Sequence, residues 1–561
     1  MKYRELVTIY EQLDATSSTL EKTEILATAF EEADNAHLPV VVKLARGKLF
    51  AAWESDDIGV STSLTKDAIA KATGIDEDQI EDWWRETGDL GNAAAAAVAE
   101  RTQTTLVSED LDVLTVHDTL QALASYEGDG SQQRRIDAIA KLLTNADPIE
   151  ARYIVRTVVG AMRLGVGEGT VRDAIAAAFL DGDEAAVDAV ERAHQVTNDF
   201  CVVAETARDR GREGLAELDV DLFRPIKVML AQKAEGIDHG LSEVAETPGD
   251  VLWEYKYDGI RTQIHTRGDR TEVYTRRLEN VTAQFPEVAE AAQAFLDADE
   301  YIVEGEIVGI DPETGRPVPF QQLSKRVKRK YDIEEMQAEI PVVVYLFDVL
   351  YVDGESRLET SLRARLDSLE EILDPSGDVL ARAANRVGID AADAATFYQE
   401  ALDGGQEGLM LKNLGATYQP GSRVGYMMKL KPTMEPLDLV VPRAKWSEGR
   451  RSEFLGRVYL ACRDAESGEY LEIGRMATGF TDEELAGVTE RLEPLILQTE
   501  GREVTVEPEV VLGVEYEEIQ ESPDYGSGFA LRFPRFRSFR DDLSPEDVDT
   551  LDRVADLYDS Q

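Results

Sequence analysis

A lysine attacks phosphorus only as the neutral amine, and residues 251–261, VLWEYKYDGIR, place one where its protonation can be tuned. In an extended strand side chains two apart share a face, so Glu254, Lys256 and Asp258 point one way and Trp253, Tyr255 and Tyr257 the other. An amine then lies between two carboxylates at the end of an apolar strand. Gly259 permits a turn, and Arg261 adds a fixed positive charge. Cationic neighbours, a bound metal or desolvation would favour the neutral amine. A salt-bridged surface strand fits K-x-D-G equally well, so the motif gains meaning only in company.

That company is found downstream. In YIVEGEIV, Glu304 and Glu306 share a face, and Gly305 between them leaves room for a ligand. Glu407 opens EGLMLK, and Lys429 and Lys431 share a face in MMKLK. Carboxylates on separate strands suit a hard divalent cation such as Mg²⁺, which takes few protein ligands and keeps waters and phosphate oxygens. The lysines and Arg261 suit the phosphates. A second basic feature is PIEARYIVRTVVGAMRLGVGEG, 148–169, where Ala151, Ile154, Val155, Val158, Val159 and Met162 recur as one buried helical stripe. Continued at helical pitch, Arg152, Arg156 and Arg163 fall within about 40° of one another, an expected grip on a phosphate backbone. Gly165, Gly167 and Gly169 follow, with amides able to approach a phosphate.

The elements that must position these groups change in texture along the chain. Residues 1–225 read as a helical domain, with Ser18 and Glu21 at capping-box spacing and alanine-rich segments at 66–72 and 92–101. Residues 226–432 alternate strands and helices, and Pro432 and Pro436 form an expected hinge. Residues 433–561 carry short strands with turn signals that predict a small β-barrel, closed by a short C-terminal helix. The fold class is therefore multi-domain α+β: a helical domain, an α+β domain and a barrel.

Charge excludes less than it first suggests. Against 110 Asp plus Glu stand 59 Lys plus Arg, a net charge of -51, and 42 of the 59 are arginine. Such acidity ordinarily argues against nucleic acid, yet 43% hydrophobic content with regular periodicity argues against disorder. An acidic, lysine-poor, arginine-retaining chain fits work in molar salt, where the Debye length is about 3 Å. Local placement of Arg and Lys then says more than net charge. Two cysteines, Cys201 and Cys462, exclude a disulfide framework or four-cysteine zinc site, and the longest apolar run, 340–352, is too short to span a bilayer. A cytoplasmic enzyme or binding protein, monomeric and with no membrane partner, is expected.

Taken together the motifs resemble the ATP-dependent DNA ligases, in particular the archaeal replicative type, over nearly the whole chain. EYKYDGIR resembles their first nucleotidyltransferase motif, which implies that Lys256 carries a covalent AMP. TRRLENVT implies that Arg276 contacts the nucleotide, and EGEIV places Glu306 at the ribose or metal. YLFDVLYVDG sets Phe347 against adenine, and EGLMLK makes Glu407 a metal carboxylate. Arg423, Lys429 and Lys431 in SRVGYMMKLK would touch phosphate. With Glu254 and Arg261 these complete the expected nucleotide contacts. In GFALRFPRFRSFRDD, Arg532 and Arg535 would orient the pyrophosphate, and the 148–169 segment resembles the part that grips the DNA backbone.

The resemblance implies a DNA-binding domain over 1–225, a nucleotidyltransferase domain over 226–432 and an OB-fold over 433–561, with ATP as co-substrate, Mg²⁺ or Mn²⁺ as the metal, and nicked double-stranded DNA as the target. The sliding clamp is a further expected partner, for which QTTL at 103–106 is a faint candidate peptide. Two positions depart from the family pattern. Leu543 stands where R-x-D-K places a lysine, and Met427 where a tryptophan is common. RNA ligases and capping guanylyltransferases share the lysine chemistry, but the long helical region with its arginines argues for DNA. The missing motif lysine is the one feature that favours a catalytically impaired DNA-binding scaffold.

Overall fold

The structure is a computed structural model that describes residues 1–561 except 52, 55–56, 102–109, 328, 330–331, 433, 448–452, 478–479 and 560–561. The candidate clamp peptide at 103–106 lies outside the described residues. The chain divides into two compact units, Met1–Leu430 and Lys431–Gln561, with the division beside Pro432.

The first unit begins with helices around one core that runs from Tyr3 to Leu215. Local signals set their ends. Ser18 caps Thr19–Glu32 by accepting from the Glu21 amide, and the alanine-rich segments form Thr62–Thr73 and Leu90–Ala99. Small side chains on Leu90–Ala99 let it press close to Pro148–Val158: a Cβ on Gly91 would lie 2.6 Å from the Arg152 carbonyl. Pro148–Val158 is opened by a reciprocal cap, in which Asp147 accepts from the Ile149 and Glu150 amides and Glu150 accepts from the Asp147 amide.

The α+β part of this unit holds two sheets. The first comprises β1 (Leu230–Lys233), β2 (Val251–Lys256), β9 (Asn385–Val387), β10 (Gly408–Asn413) and β11 (Arg423–Leu430), in the order β1-β11-β10-β2-β9. The second contains β3 (Ile260–Arg267), β4 (Arg270–Thr275), β5 (Glu300–Gly309), β6 (Val342–Val352) and β7 (Glu355–Ser356), in the order β4-β3-β5-β6-β7, with β8 (Leu380–Arg382) added parallel to β6. Each sheet has its own apolar core, one around Trp253, Phe397 and Leu411 and the other around Ile264, Val303 and Leu346. The turn from β2 to β3 thus passes the lysine strand's end from one sheet to the other.

The second unit is β-rich. Its central strand β12 (Leu437–Lys445) pairs with β13 (Arg457–Arg463), which pairs with β14 (Tyr470–Met476). The opposite edge of β12 is shared, with β17 (Val511–Glu515) along 437–440 and β16 (Glu503–Val506) along 443–445. Strand β15 (Ile496–Glu500) extends β16 and β20 (Arg535–Phe539) extends β17, while β18 (Glu518–Glu521) and β19 (Phe529–Arg532) form a separate hairpin. Helix Leu551–Asp559 ends the described chain. The expected order of helical region, α+β region and β-rich region is present.

Candidate active site

Strand β2 carries Lys256 at its last position, opposite Gly408 of β10. The Glu407 amide donates to the Lys256 carbonyl at 2.9 Å, and the two side chains form an ion pair. Across the turn, Arg261 of β3 lies in register with Glu306 of β5, and Gln263 with Glu304. The alternation read from sequence holds, for Trp253 is in the core, Tyr255 stacks on Phe397 at 4.6 Å and Tyr257 on Tyr345 at 4.0 Å. Asp258 departs from it, accepting from the Phe320 amide at 3.0 Å at the start of helix Phe320–Val327.

The glycines do other work than expected. A Cβ on Gly259 would stand 2.2 Å from the Ile307 carbonyl oxygen, so glycine lets the turn lie against β5. A Cβ on Gly305 would meet Val344 Cγ1 at 2.9 Å and the Tyr345 carbonyl at 3.0 Å. Gly305 therefore makes room for β6, not for a ligand.

A pocket of about 210 Å³ opens over these strands, within the first unit. Seven cations line it, Lys256, Arg261, Arg276, Arg365, Lys412, Arg423 and Lys429, with the carboxylates Glu254, Glu306 and Asp348. In a chain of net charge -51, such an excess marks a place for a polyanion. One wall is the Phe347 ring, with the Arg261 guanidinium 5.4 Å and the Lys412 amine 4.5 Å from its centroid. Lys412 is ion-paired with Glu254, a 2% exposed side chain whose Oε2 has no hydrogen-bond partner among the described residues. Desolvation raises the Glu306 carboxyl to about 7, against Lys256 and Arg261, while Glu407 and Asp258 push the same way as burial. Burial and the adjacent Arg261 weaken Arg276's hold on its proton.

The pocket gathers nearly all the expected nucleotide contacts, with Glu407 on the nucleophile. Lys431 belongs to the second unit, where it lies 3.8 Å from Glu517. Arg532 and Arg535 are also in that unit, paired with Glu518 at 2.9 Å and Glu517 at 3.4 Å. Lys412, Arg365 and Tyr418 were not anticipated. Lys412 had a usable signal, since in EGLMLK it alternates with Leu409 and Leu411, which face the core. Arg365 and Tyr418 had none, because each meets the site from a distant loop or helix.

One expectation needs correction. The arginine face breaks because its helix ends at Val158 and Gly160 follows with φ +66°, leaving Arg163 in the loop with φ +59°. Arg156 is buried, and both Nε and Nη2 donate to Asp89 at 3.0 and 2.8 Å. Arg152 pairs with Glu11 at 3.1 Å, and Arg163, 56% exposed, donates to the Gly88 carbonyl. The glycine loop has charged groups at its two ends, and a Cβ on Gly167 between them would meet nothing within 4 Å. Lys22 donates to the Leu164 carbonyl beside Gly165, and Glu168 at the start of helix Glu168–Phe179 is paired with Arg46 and Lys227. Leu543 is partly buried against the cluster of Val440, Ala461, Val511 and Val548, so an apolar residue suits its place. Met427 is buried beside Val424 and Tyr418.

A lysine at a strand end with a carboxylate on its amine, under a cationic rim and beside an aromatic wall, suits nucleotidyl transfer through that lysine. Comparison with known proteins narrows the class. Residues 2–176 match the DNA ligase N terminus, 228–431 the ATP dependent DNA ligase domain and 451–543 the ATP dependent DNA ligase C terminal region. A DNA ligase of Thermococcus onnurineus is 44% identical over 561 residues, covering 100% of this chain and 98% of that one. A DNA ligase of Methanothermobacter thermautotrophicus is 44% identical over 560 residues with the same coverage. The solved chain described as Pmar-Lig_Pre shares the fold at a TM-score of 0.56 and 16% identity, over 96% of this chain and 99% of that one. The chain belongs to the ATP-dependent DNA ligase family and is of archaeal type.

Proposed function

We propose that this protein seals nicks in double-stranded DNA, joining a 3′-hydroxyl to a 5′-phosphate at the expense of ATP. The observation that carries the reading is Lys256 paired with Glu407 at the mouth of a pocket with seven cations. Lys256 Nζ, having lost its proton, attacks the α-phosphorus of ATP; an N–P bond forms and the bond to pyrophosphate breaks. The 5′-phosphate oxygen at the nick then attacks that phosphorus, and the amine leaves and is reprotonated. The 3′-hydroxyl finally attacks the 5′-phosphorus, and AMP departs. Each displacement is easier than direct joining of an unactivated phosphate.

Phe347 offers the face on which adenine stacks, and the buried Glu254 Oε2 accepts a hydrogen bond from its exocyclic amine. Guanine would present a carbonyl there and leave the carboxylate opposed. Arg261, Arg276, Arg423, Lys429 and Lys431 bind ribose and phosphates, and Arg532 and Arg535 orient the pyrophosphate. Glu306 and Glu407 fit a divalent cation such as Mg²⁺ or Mn²⁺. Among the described residues no group of three or more metal-ligating side chains is assembled. A cation held by Glu306 and Glu407 would offset the desolvation of Glu306 and withdraw charge from the attacked phosphate.

The working parts are a DNA-binding domain over 1–225, a nucleotidyltransferase over 226–432 and an OB-fold over 433–561. The enzyme acts as a monomer in replication, repair and recombination, with the sliding clamp as a partner. Its acidic, arginine-rich composition fits a halophilic setting. Among the described residues no helix is long and apolar enough to cross a membrane. Sealing of nicked DNA duplex set beside nicked RNA duplex, with ATP and Mg²⁺ in molar KCl, tests the reading. Ligation of DNA alone is expected, and equal or preferred sealing of RNA would overturn it.

A further inference from the structure

The segment leading from the helical region into β1 is laced to one face of β3. Residues 261, 263 and 265 alternate on that face, and each grips it. His265 Nδ1 accepts from the Phe223 amide at 3.1 Å. Gln263 holds Ile226 at both main-chain groups, Oε1 accepting from the amide at 3.1 Å and Nε2 donating to the carbonyl at 2.9 Å. Arg261 Nη1 donates to the Met229 carbonyl at 2.8 Å.

At Met229 the lacing closes into a ring. The Met229 amide donates to the Tyr418 hydroxyl at 3.1 Å, and that hydroxyl donates to Glu304 Oε2 at 3.0 Å. The same Oε2 accepts from Arg261 Nη2 at 2.8 Å, while Gln263 Nε2 donates to Oε1 at 3.1 Å. Glu304 is fully buried and Tyr418 is 3% exposed. A carboxylate buried in this way is tolerable only with its donors in place, so the ring fixes the direction of the guanidinium. Arg261, Met229 and Tyr418 all line the nucleotide pocket, and Arg261 Nε is buried with no partner among the described residues.

We propose that Tyr418 and Glu304 are positioning residues that aim Arg261 at the nucleotide, through a ring that makes the Met229 main chain part of the same site. The proposal rests on the nucleotide reading of the pocket. A correctly aimed arginine strengthens nucleotide binding without touching the attacking amine, so its loss raises the apparent KM for ATP and spares the maximal rate. Removing one hydroxyl from the ring tilts the guanidinium and leaves the rest of the pocket in place.

The test is a double-mutant cycle on formation of the covalent AMP adduct, followed by intact mass in the full chain. Tyr418→Phe is expected to raise the apparent KM for ATP about tenfold, with the maximal rate within twofold of wild type. In an Arg261→Ala background the same substitution should change KM by less than about twofold, because the group it acts through is gone. Glu304→Gln, run through the same cycle, should behave alike and serves if Tyr418→Phe does not fold. Equal effects in both backgrounds, or no effect in either, would overturn the positioning roles while leaving the adduct intact. Absence of any adduct on folded wild type would overturn the nucleotide reading and the proposal with it.

Discussion

Chemistry at the scale of the residue turns on which polar atoms the fold leaves unanswered. Glu254 is held by Lys412 through one oxygen while its other oxygen stays buried and unpartnered among the described residues. An amine donor from the base completes it; a carbonyl acceptor does not. Glu254→Gln, with an amide that can serve either base, should therefore reduce the preference for ATP over GTP by about tenfold, read as the ratio of adduct formation rates. An unchanged ratio would show that selectivity is set elsewhere in the pocket. The strand positions of Lys256, Glu304 and Glu306 were legible in sequence because alternation fixes their faces, whereas Arg276, Phe347 and Arg423 were reached only through the family resemblance. Lys412 was legible in principle by the same alternation. Tyr418 and Arg365 were not, since three-dimensional proximity to Glu304 and Asp348 leaves no local trace.

Among the elements, the arginine helix shows where periodic reasoning stops. Its apolar stripe and its cap were readable, but the pattern gave no warning that the helix ends at Val158 and that Gly160 turns the chain. As a result one arginine became structural and another stayed exposed. Arg156→Ala leaves the Asp89 carboxylate, 7% exposed, without its bidentate partner and should cost about 3–5 kcal/mol of folding stability. Arg163→Ala, at an exposed loop position, should leave stability within about 0.5 kcal/mol and weaken DNA binding. Denaturant titration and a DNA-binding isotherm on both variants separate the two roles. Loss of DNA affinity with full stability in Arg156→Ala would contradict the structural assignment. Gly305 carries a related lesson: glycine between two glutamates reads as space for a ligand, yet the fold spends that space on strand packing.

For the whole molecule, charge and protonation govern stability. A chain at -51 repels itself, and molar salt shortens that repulsion to about 3 Å. Unfolding midpoints should therefore rise as KCl is raised from 0.1 M toward 2 M, and a falling midpoint would contradict salt adaptation. Burial lowers both His194 and His265 to about 3. Unfolded histidines titrate near 6.5, so below that pH the unfolded chain takes up protons that the folded chain refuses. Folding stability is then intact above about 6.5 and is lost as pH falls toward 3, by about 1.4 kcal/mol per histidine at pH 5.5. Calorimetry of wild type and His265→Gln over that range measures the contribution, and parallel curves would refute it. Of the overall plan, the order of helical, α+β and β-rich regions was readable because helical and strand periods differ. That the first two lie within one unit was not, since the buried cluster they share gathers residues as distant in sequence as Val196, Ile302 and Tyr418.

Intact mass after incubation with ATP and Mg²⁺ in molar KCl reads whether Lys256 becomes covalently linked to AMP. Wild type should gain the mass of one AMP and lose it on addition of pyrophosphate or nicked DNA, whereas Lys256→Ala should gain nothing. An adduct of the same size on Lys256→Ala, or none on folded wild type, would contradict the account.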